Sequence, residues 1–445
     1  MHGAGISDLE YRQRQQRLLT QLPEDTLLIM PNQPTALRTN DVDFPYRSHS
    51  DILYLTGWTE MNSVLVAQHQ SDSGWEVALF VPPKDTEKEI WTGIRPGIEG
   101  ALQSHPIDAA YSILEIERRL GEMMSICRTV ALSPGIDLKF DKMVQAALTE
   151  SNRPRQRYGT GPTATLDPRP LIAEMRLRKS DAEIQLMQEA ADIASDAHRH
   201  AMKGAYSKMG EWQLQALVEG YFLSKRSNWS YPSIVAGGDN ATILHYHANN
   251  CEINDGDLVL IDAGCEVNGY ASDITRTFPV NGKFTDEQRE IYEIVLASQK
   301  AAIKECVVGN PFDAPHEAAK RVLAEGLVKL GIIPEDIDDP TAPEYLGKWY
   351  MHNTGHWLGL DVHDVGIYVP GGADSEPRLL EQGMVLTVEP GLYFGEWRTD
   401  VAIPKKYAGI GIRIEDDIVI TTAEPLVMTA SCPKEIDDIE SMIQS

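Results

Sequence analysis

Four short segments constrain this chain most: LVLIDAGCEVNGYASDITRTF, MHNTGHWLGLDVHD, GMVLTVEPGLY and GIGIRIEDDIV. They place Asp262, Asp273, His356, Glu389 and Glu415 in or beside apolar, strand-like runs. A buried strand can end on a charged group only if something neutralises it. Asp262 closes the run Leu258–Ile261, and Glu389 follows VLTV and precedes Pro390-Gly391. Four carboxylates and one imidazole arranged this way make a seat for two divalent metals. Two such ions, about 3.5–4 Å apart, hold a bridging water, lower its pKa and polarise a carbonyl. The chain therefore reads as a hydrolase that needs no covalent nucleophile. No GxSxG elbow, Walker A run or GxGxxG fingerprint is present. Oxygen ligands with one imidazole suit Mn²⁺ first, with Zn²⁺, Co²⁺ and Fe²⁺ also compatible.

The lesser residues of these segments sort by pattern. Ile410, Ile412 and Ile414 alternate with Gly411, Arg413 and Glu415, so period two puts Arg413 on the face of Glu415. A cation there keeps a buried carboxylate ionised. Asp416 and Asp417 read as solvated turn residues, and Asp273 as part of a strand returning beside Asp262. His352 and His356 have HxxxH spacing, but Gly355 lies between them and no Glu follows His352, which sets a zincin helix aside. His245, in HYH, reads as a substrate or proton-handling residue and His247 as a bystander. His198, His200 and His316 fall in helical runs and read as ordinary packing or surface histidines.

Net charge bounds the partners. At −26 over 445 residues, the chain is unsuited to nucleic acid or to an anionic membrane. Its five cysteines are odd in number, scattered and without a CxxC pair, which fits a reducing, cytoplasmic setting better than a disulfide framework. No run reaches signal-peptide or membrane-span character.

Length favours two domains. Residues 8–20 read as a polar helix. Strand-length runs follow in DTLLIMPN, SDILYLTGW, SVLVAQH and WEVALFVPP, then a helix over 113–124 and the strand TVALSPG. This alternation predicts an α/β domain. SNRPRQRYGTGPTATLDPRP has no period and reads as the crossing between domains. Beyond it, Ser180-x-x-Glu183 and Thr285-x-x-Gln288 predict capping boxes, and a further helix runs from Asp313 to a stop at Gly331. The C-terminal part reads as an internal repeat of helices followed by two carboxylate-bearing strands.

HYHANN, DGDLVLIDAGCEVNGYASDITRTFPVNGKFT, GHWLGLDVHDVG, GMVLTVEPGLY and GIGIRIEDDIVIT resemble the metal-binding blocks of bacterial aminopeptidase P. FPYRSHSDILYLTGWTE and EIWTGIRPG extend the resemblance to the N-terminal part. It implies an α/β (α+β) fold: a creatinase-like N-terminal domain over 1–175, then a pita-bread catalytic domain over 176–445. It implies hydrolysis of the Xaa-Pro bond at a peptide's N-terminus by a water bridging two metal ions per subunit. Asp262 would bind one ion, Asp273 and Glu415 both, and His356 with Glu389 would complete the second. Glu389 would also handle the water's proton. His245, His352 and His363 would surround the scissile bond, with His352 and His363 on the carbonyl or oxyanion. Arg413 would stand beside the last ligand and Tyr231 on the substrate side. Arg378 is the lone arginine in GIYVPGGADSEPRLLEQG, where the family meets substrate with arginine. Trp91 would reach a neighbouring active site in a homo-oligomer, a dimer or tetramer. MHGAG has no counterpart and reads as a disordered end; Asn353 and Gly355 depart from the family's usual run. Prolidase, with organophosphate hydrolysis as a side activity, shares the ligand set and stands as the alternative. Methionine aminopeptidases are shorter chains, and the five filled ligand positions set aside a non-catalytic binding module.

Overall fold

In the computed structural model, which describes residues 5–70 and 74–444, the chain divides into two compact units, Ile6–Met175 and Arg176–Ser445. The expected disordered end falls mostly on residues 1–4, outside those described.

The first unit is built on a six-stranded sheet. In spatial order its strands are Ala109–Ser112, Gly74–Val81, Val64–Gln70, Thr26–Pro31, Thr129–Leu132 and Ala164–Leu166. The inner pairings are antiparallel and the outer ones parallel. Leu27, Ile29, Val66, Phe80 and Val130 pack beneath Leu120, Met124, Phe140 and Val144 of the covering helices. Two expectations change here. SDILYLT is a helix, Ser50–Thr56, not a strand. His49 accepts from the Asp51 amide at its start, and Gly57 ends it in the left-handed region (φ 68°). The crossing segment carries a helix, Asn152–Tyr158, and the edge strand Ala164–Leu166, so it belongs to this unit.

The second unit opens on the helix Asp181–Gly204. Its capping box is formed: Ser180 N–H donates to Glu183 (2.8 Å) and the Glu183 amide to Ser180 Oγ (3.3 Å). Thr285 and Gln288 do the same for Asp286–Lys304. Glu211–Ser224 and Ala314–Lys329 complete two helix pairs. Each pair precedes a three-stranded sheet: Ile234–Gly237, Leu258–Asp262 and Thr275–Pro279 after the first; Val385–Val388, Asp416–Val419 and Leu426–Val427 after the second. A smaller pair joins Gly391–Tyr393 to Gly411–Arg413. In each half a helix pair precedes an antiparallel strand pair, with one acid at or just past the end of its first strand (Leu258–Asp262 or Val385–Val388) and another just before the strand that pairs back with it.

Two details differ from the sequence reading. Asp273 lies two residues before the Thr275–Pro279 strand, not in it. GIGIRIEDDIV is not one strand: its first part pairs with Gly391–Tyr393, its second with Val385–Val388, and Glu415 sits at the corner between them. That corner turns the carboxylate toward the other half.

Candidate metal centre

The corner brings the two hairpins together. The Glu415 amide donates to Thr275 O (3.1 Å), and Thr275 Oγ1 donates to Glu415 Oε2 (2.8 Å). The Asp273 amide donates to Asp417 Oδ2 (3.1 Å). From the second half, the Glu389 amide donates to Thr354 O (2.7 Å) and the Thr387 amide to His356 O (3.0 Å), so the loop carrying His356 is stitched to the strand carrying Glu389. Gly355 is demanded by that stitching. A Cβ there would fall 2.0 Å from Thr387 O, which no side chain tolerates.

Ligand atoms of Asp273, His356 and Glu415 all lie within 4.8 Å of one another. Glu389 Oε1 is 3.8 Å and Asp273 Oδ2 3.5 Å from His356 Nε2. His356 Nδ1 donates to Trp357 O (3.0 Å), which fixes the tautomer and leaves Nε2 for a cation. Asp262 lies across the cluster, joined to Asp273 by Tyr231, whose hydroxyl is 2.6 Å from Asp262 Oδ1 and 2.5 Å from Asp273 Oδ1. A phenol has one proton for these two acceptors. Tyr231 therefore stands on the carboxylates of Asp262 and Asp273 rather than in the open cavity.

The carboxylates of the cluster crowd one another. Burial, then the neighbouring carboxylates, hold Glu415 well above the usual carboxylate range. Burial pushes Glu389 up to about 7. Burial lowers the His356 pKa, but the Asp273 carboxylate more than reverses this and takes it to about 9. Divalent cations would neutralise this crowding, and the oxygen-rich donor set with one imidazole fits them. Arg413 is the fixed cation in the group. It donates to Asp262 Oδ2 (2.6 Å), Thr275 Oγ1 (3.1 Å) and the Tyr393 hydroxyl (3.1 Å).

Beside the cluster opens a cavity of about 600 Å³, lined by His245, His352, His356, His363, Glu389 and Arg413 among others. His352 is held on both ring nitrogens: Nδ1 donates to Asn353 O (2.7 Å) and Nε2 accepts from Tyr393 (2.8 Å). Burial takes its pKa down to about 3, so the ring is neutral. The His363 ring lies edge-on to that of His356, centroids 4.2 Å apart. His245 sits in a loop, not on a strand, and its ring stacks on His247 at 6.2 Å. Arg378 is not among the cavity's lining residues; its Nε donates to Ile367 O (2.7 Å).

Three corrections concern polar residues. Asp416 and Asp417 are not solvated: they are 0% and 1% exposed. Arg276 pairs with Asp416 at 2.7 Å, and Lys434, Gln299 and Thr429 complete its shell. Burial works against that charge, but Arg276 and Lys434 bring the Asp416 pKa down to about 2. His316 is no ordinary helix histidine; it lines the cavity and its Nδ1 meets Thr354 Oγ1 at 2.9 Å. Thr275, Thr354 and Tyr393 escaped the sequence reading. The only signal for them was position, each within four residues of Asp273, His356 or Glu389.

Residues 185–422 match metallopeptidase family M24, and residues 11–131 match the aminopeptidase P N-terminal domain. The chain is 41% identical over 439 residues to the Xaa-Pro aminopeptidase of Escherichia coli (strain K12), covering 98% of each chain. It is 36% identical over 458 residues to Xaa-Pro aminopeptidase 3 of Rattus norvegicus, covering 98% of this chain and 86% of the relative. Zn-substituted E. coli aminopeptidase P in complex with product superposes with a TM-score of 0.94 at 41% identity, over 99% of each chain.

Proposed function

The chain belongs to metallopeptidase family M24, with an aminopeptidase P N-terminal domain ahead of a pita-bread catalytic one, and from that premise we propose that it releases the first residue of peptides whose second residue is proline. The observation that carries the reading is that Asp273, His356 and Glu415, close enough to share a cation, adjoin a histidine-lined cavity. The relatives named Xaa-Pro aminopeptidase favour this over a prolidase.

Asp262, Asp273, His356, Glu389 and Glu415 would hold two divalent ions, Mn²⁺ first. Bound there, the ions supply Lewis acidity and make water a nucleophile near neutral pH. Glu389, lining the cavity beside His356, takes the proton of the attacking water. It returns a proton to the departing proline nitrogen, which has no N–H of its own and leaves as a secondary amine. His245 and His363 make no hydrogen bond within the described chain and so are free for substrate. His363 donates to the carbonyl oxygen as it gains charge. Tyr393 and Asn353 lock His352 as a neutral wall of the site. Arg413 and Tyr231 both bond Asp262 and hold it in register with Asp273. Arg378 would meet the peptide beyond proline.

Trp91 is 87% exposed, between Ile90 at 77% and Ile94 at 90%. Such an apolar surface supports a homo-oligomer in which Trp91 reaches a neighbour's site. Among the described residues no helix is long and apolar enough to cross a membrane, and the five free cysteines suit a cytoplasmic protein. The test of selectivity compares Ala-Pro-Ala with Ala-Ala-Ala on protein reloaded with Mn²⁺. Release of alanine from the first alone supports the reading; equal release from both rejects it.

A further inference from the structure

We propose that Asp364 is a positioning residue for His363, held by two buried cations; this rests on the reading of His363 as a substrate contact. Asp364 Oδ1 pairs with Arg176 Nη2 at 2.6 Å and Oδ2 with Lys179 Nζ at 3.0 Å. The three side chains are 3% exposed or less. Arg176 also reaches Asp361 at 2.7 Å, so the acids on either side of Val362-His363 are tied to one guanidinium.

The backbone repeats the tie. The Asp364 amide donates to Trp357 O (2.9 Å), the carbonyl that also accepts His356 Nδ1–H (3.0 Å). Metal ligand and histidine loop thus share one acceptor. The Gly359 amide donates to Asp361 O (3.1 Å). A Cβ on Gly359 would fall 2.1 Å from Asp364 Oδ2, so a glycine is required for the carboxylate to lie there. The Lys179 amide donates to Gly383 O (2.7 Å), two residues before the strand that leads to Glu389.

His363 itself is exposed to the cavity and makes no hydrogen bond within the described chain. Its ring rests edge-on against His356 (4.2 Å between centroids), so its aim depends on its backbone, which the Asp364 clamp holds. A buried carboxylate between two cations resists displacement, because moving it leaves charge unpaired in the interior. The clamp therefore holds the donor at a fixed distance from the reacting carbonyl, where a displacement of about 1 Å costs up to ~100-fold in rate.

The experiment measures Ala-Pro-Ala hydrolysis by Mn²⁺-loaded protein carrying Asp364→Asn, His363→Ala, or both, with metal content determined for each. Asp364→Asn lowers kcat by about tenfold or more with metal content unchanged. In the His363→Ala background it adds nothing further. A loss that multiplies in full in that background, or a wild-type kcat for Asp364→Asn beside an impaired His363→Ala, overturns the proposal alone. Wild-type activity of His363→Ala overturns the assigned role of His363 and the proposal with it. If Asp364→Asn does not fold, Lys179→Gln serves, since it keeps the Arg176 pair. It gives a smaller loss of kcat, again absent beside His363→Ala, and a loss that persists there overturns the proposal.

Discussion

Arg413 Nη2 donates to Asp262 Oδ2 at 2.6 Å while Nε and Nη1 of the same side chain hold Thr275 and Tyr393. One planar fork thus joins a carboxylate of the first hairpin to the threonine that bonds Glu415 and to the tyrosine that locks His352. Lysine carries the charge without the fork. Arg413→Lys should keep metal and lose at least about tenfold in kcat, read by steady-state kinetics beside metal analysis. An unchanged kcat would show that charge alone suffices.

Asp273 offers both its oxygens within the cluster, one to Tyr231 and one toward His356. An amide is neutral and cannot balance the charge of a cation there. Asp273→Asn should therefore bind less than its full complement of metal, with an affinity down by about tenfold to a hundredfold. Full occupancy by metal analysis at micromolar Mn²⁺ would contradict the assignment.

Arg276 and Asp416 are both 0% exposed. Asp416→Asn leaves the guanidinium buried with its main partner gone, at a cost of about 3–5 kcal/mol. The urea midpoint should fall accordingly. Because Arg276 also bonds the Glu415 carbonyl, the variant should lose metal affinity as well. A midpoint within error of wild type would mean that Asp416 is not the partner that neutralises Arg276 in solution.

His198 is fully buried, donates from Nε2 to Ala263 O at 3.0 Å, and burial lowers its pKa to about 4. Between about pH 6.5 and pH 4 the unfolded chain takes up a proton that the folded one refuses, so stability falls as pH falls through that window. The loss approaches about 3 kcal/mol near pH 4. His198→Gln, which keeps a donor, should show a flatter decline in melting temperature from pH 7 to pH 4.5. An equal slope in both proteins would place the linkage elsewhere.

The same residues mark what the sequence could and could not reveal. Asp262 and Glu389 were legible because an apolar strand ending on a carboxylate is costly unless a cation waits there. The capping boxes were legible because both partners lie within one helical turn. The burial of Asp416 was not, since its neutralising arginine lies 140 residues away. Only folding brings the two hairpins face to face. SDILYLT misled because a short apolar run fits strand and helix alike; the stop at Gly57 decides it. His316 looked ordinary because nothing in its own helix says that the helix borders the cavity.

The central claim is removal of one residue ahead of proline from a peptide longer than two. The direct measurement sets Ala-Pro-Ala beside the dipeptide Ala-Pro, with Mn²⁺ restored to metal-free protein. Alanine should be released from the tripeptide, and the release should be lost when Glu389 is replaced by glutamine. Cleavage of Ala-Pro alone would contradict it and make the chain a prolidase.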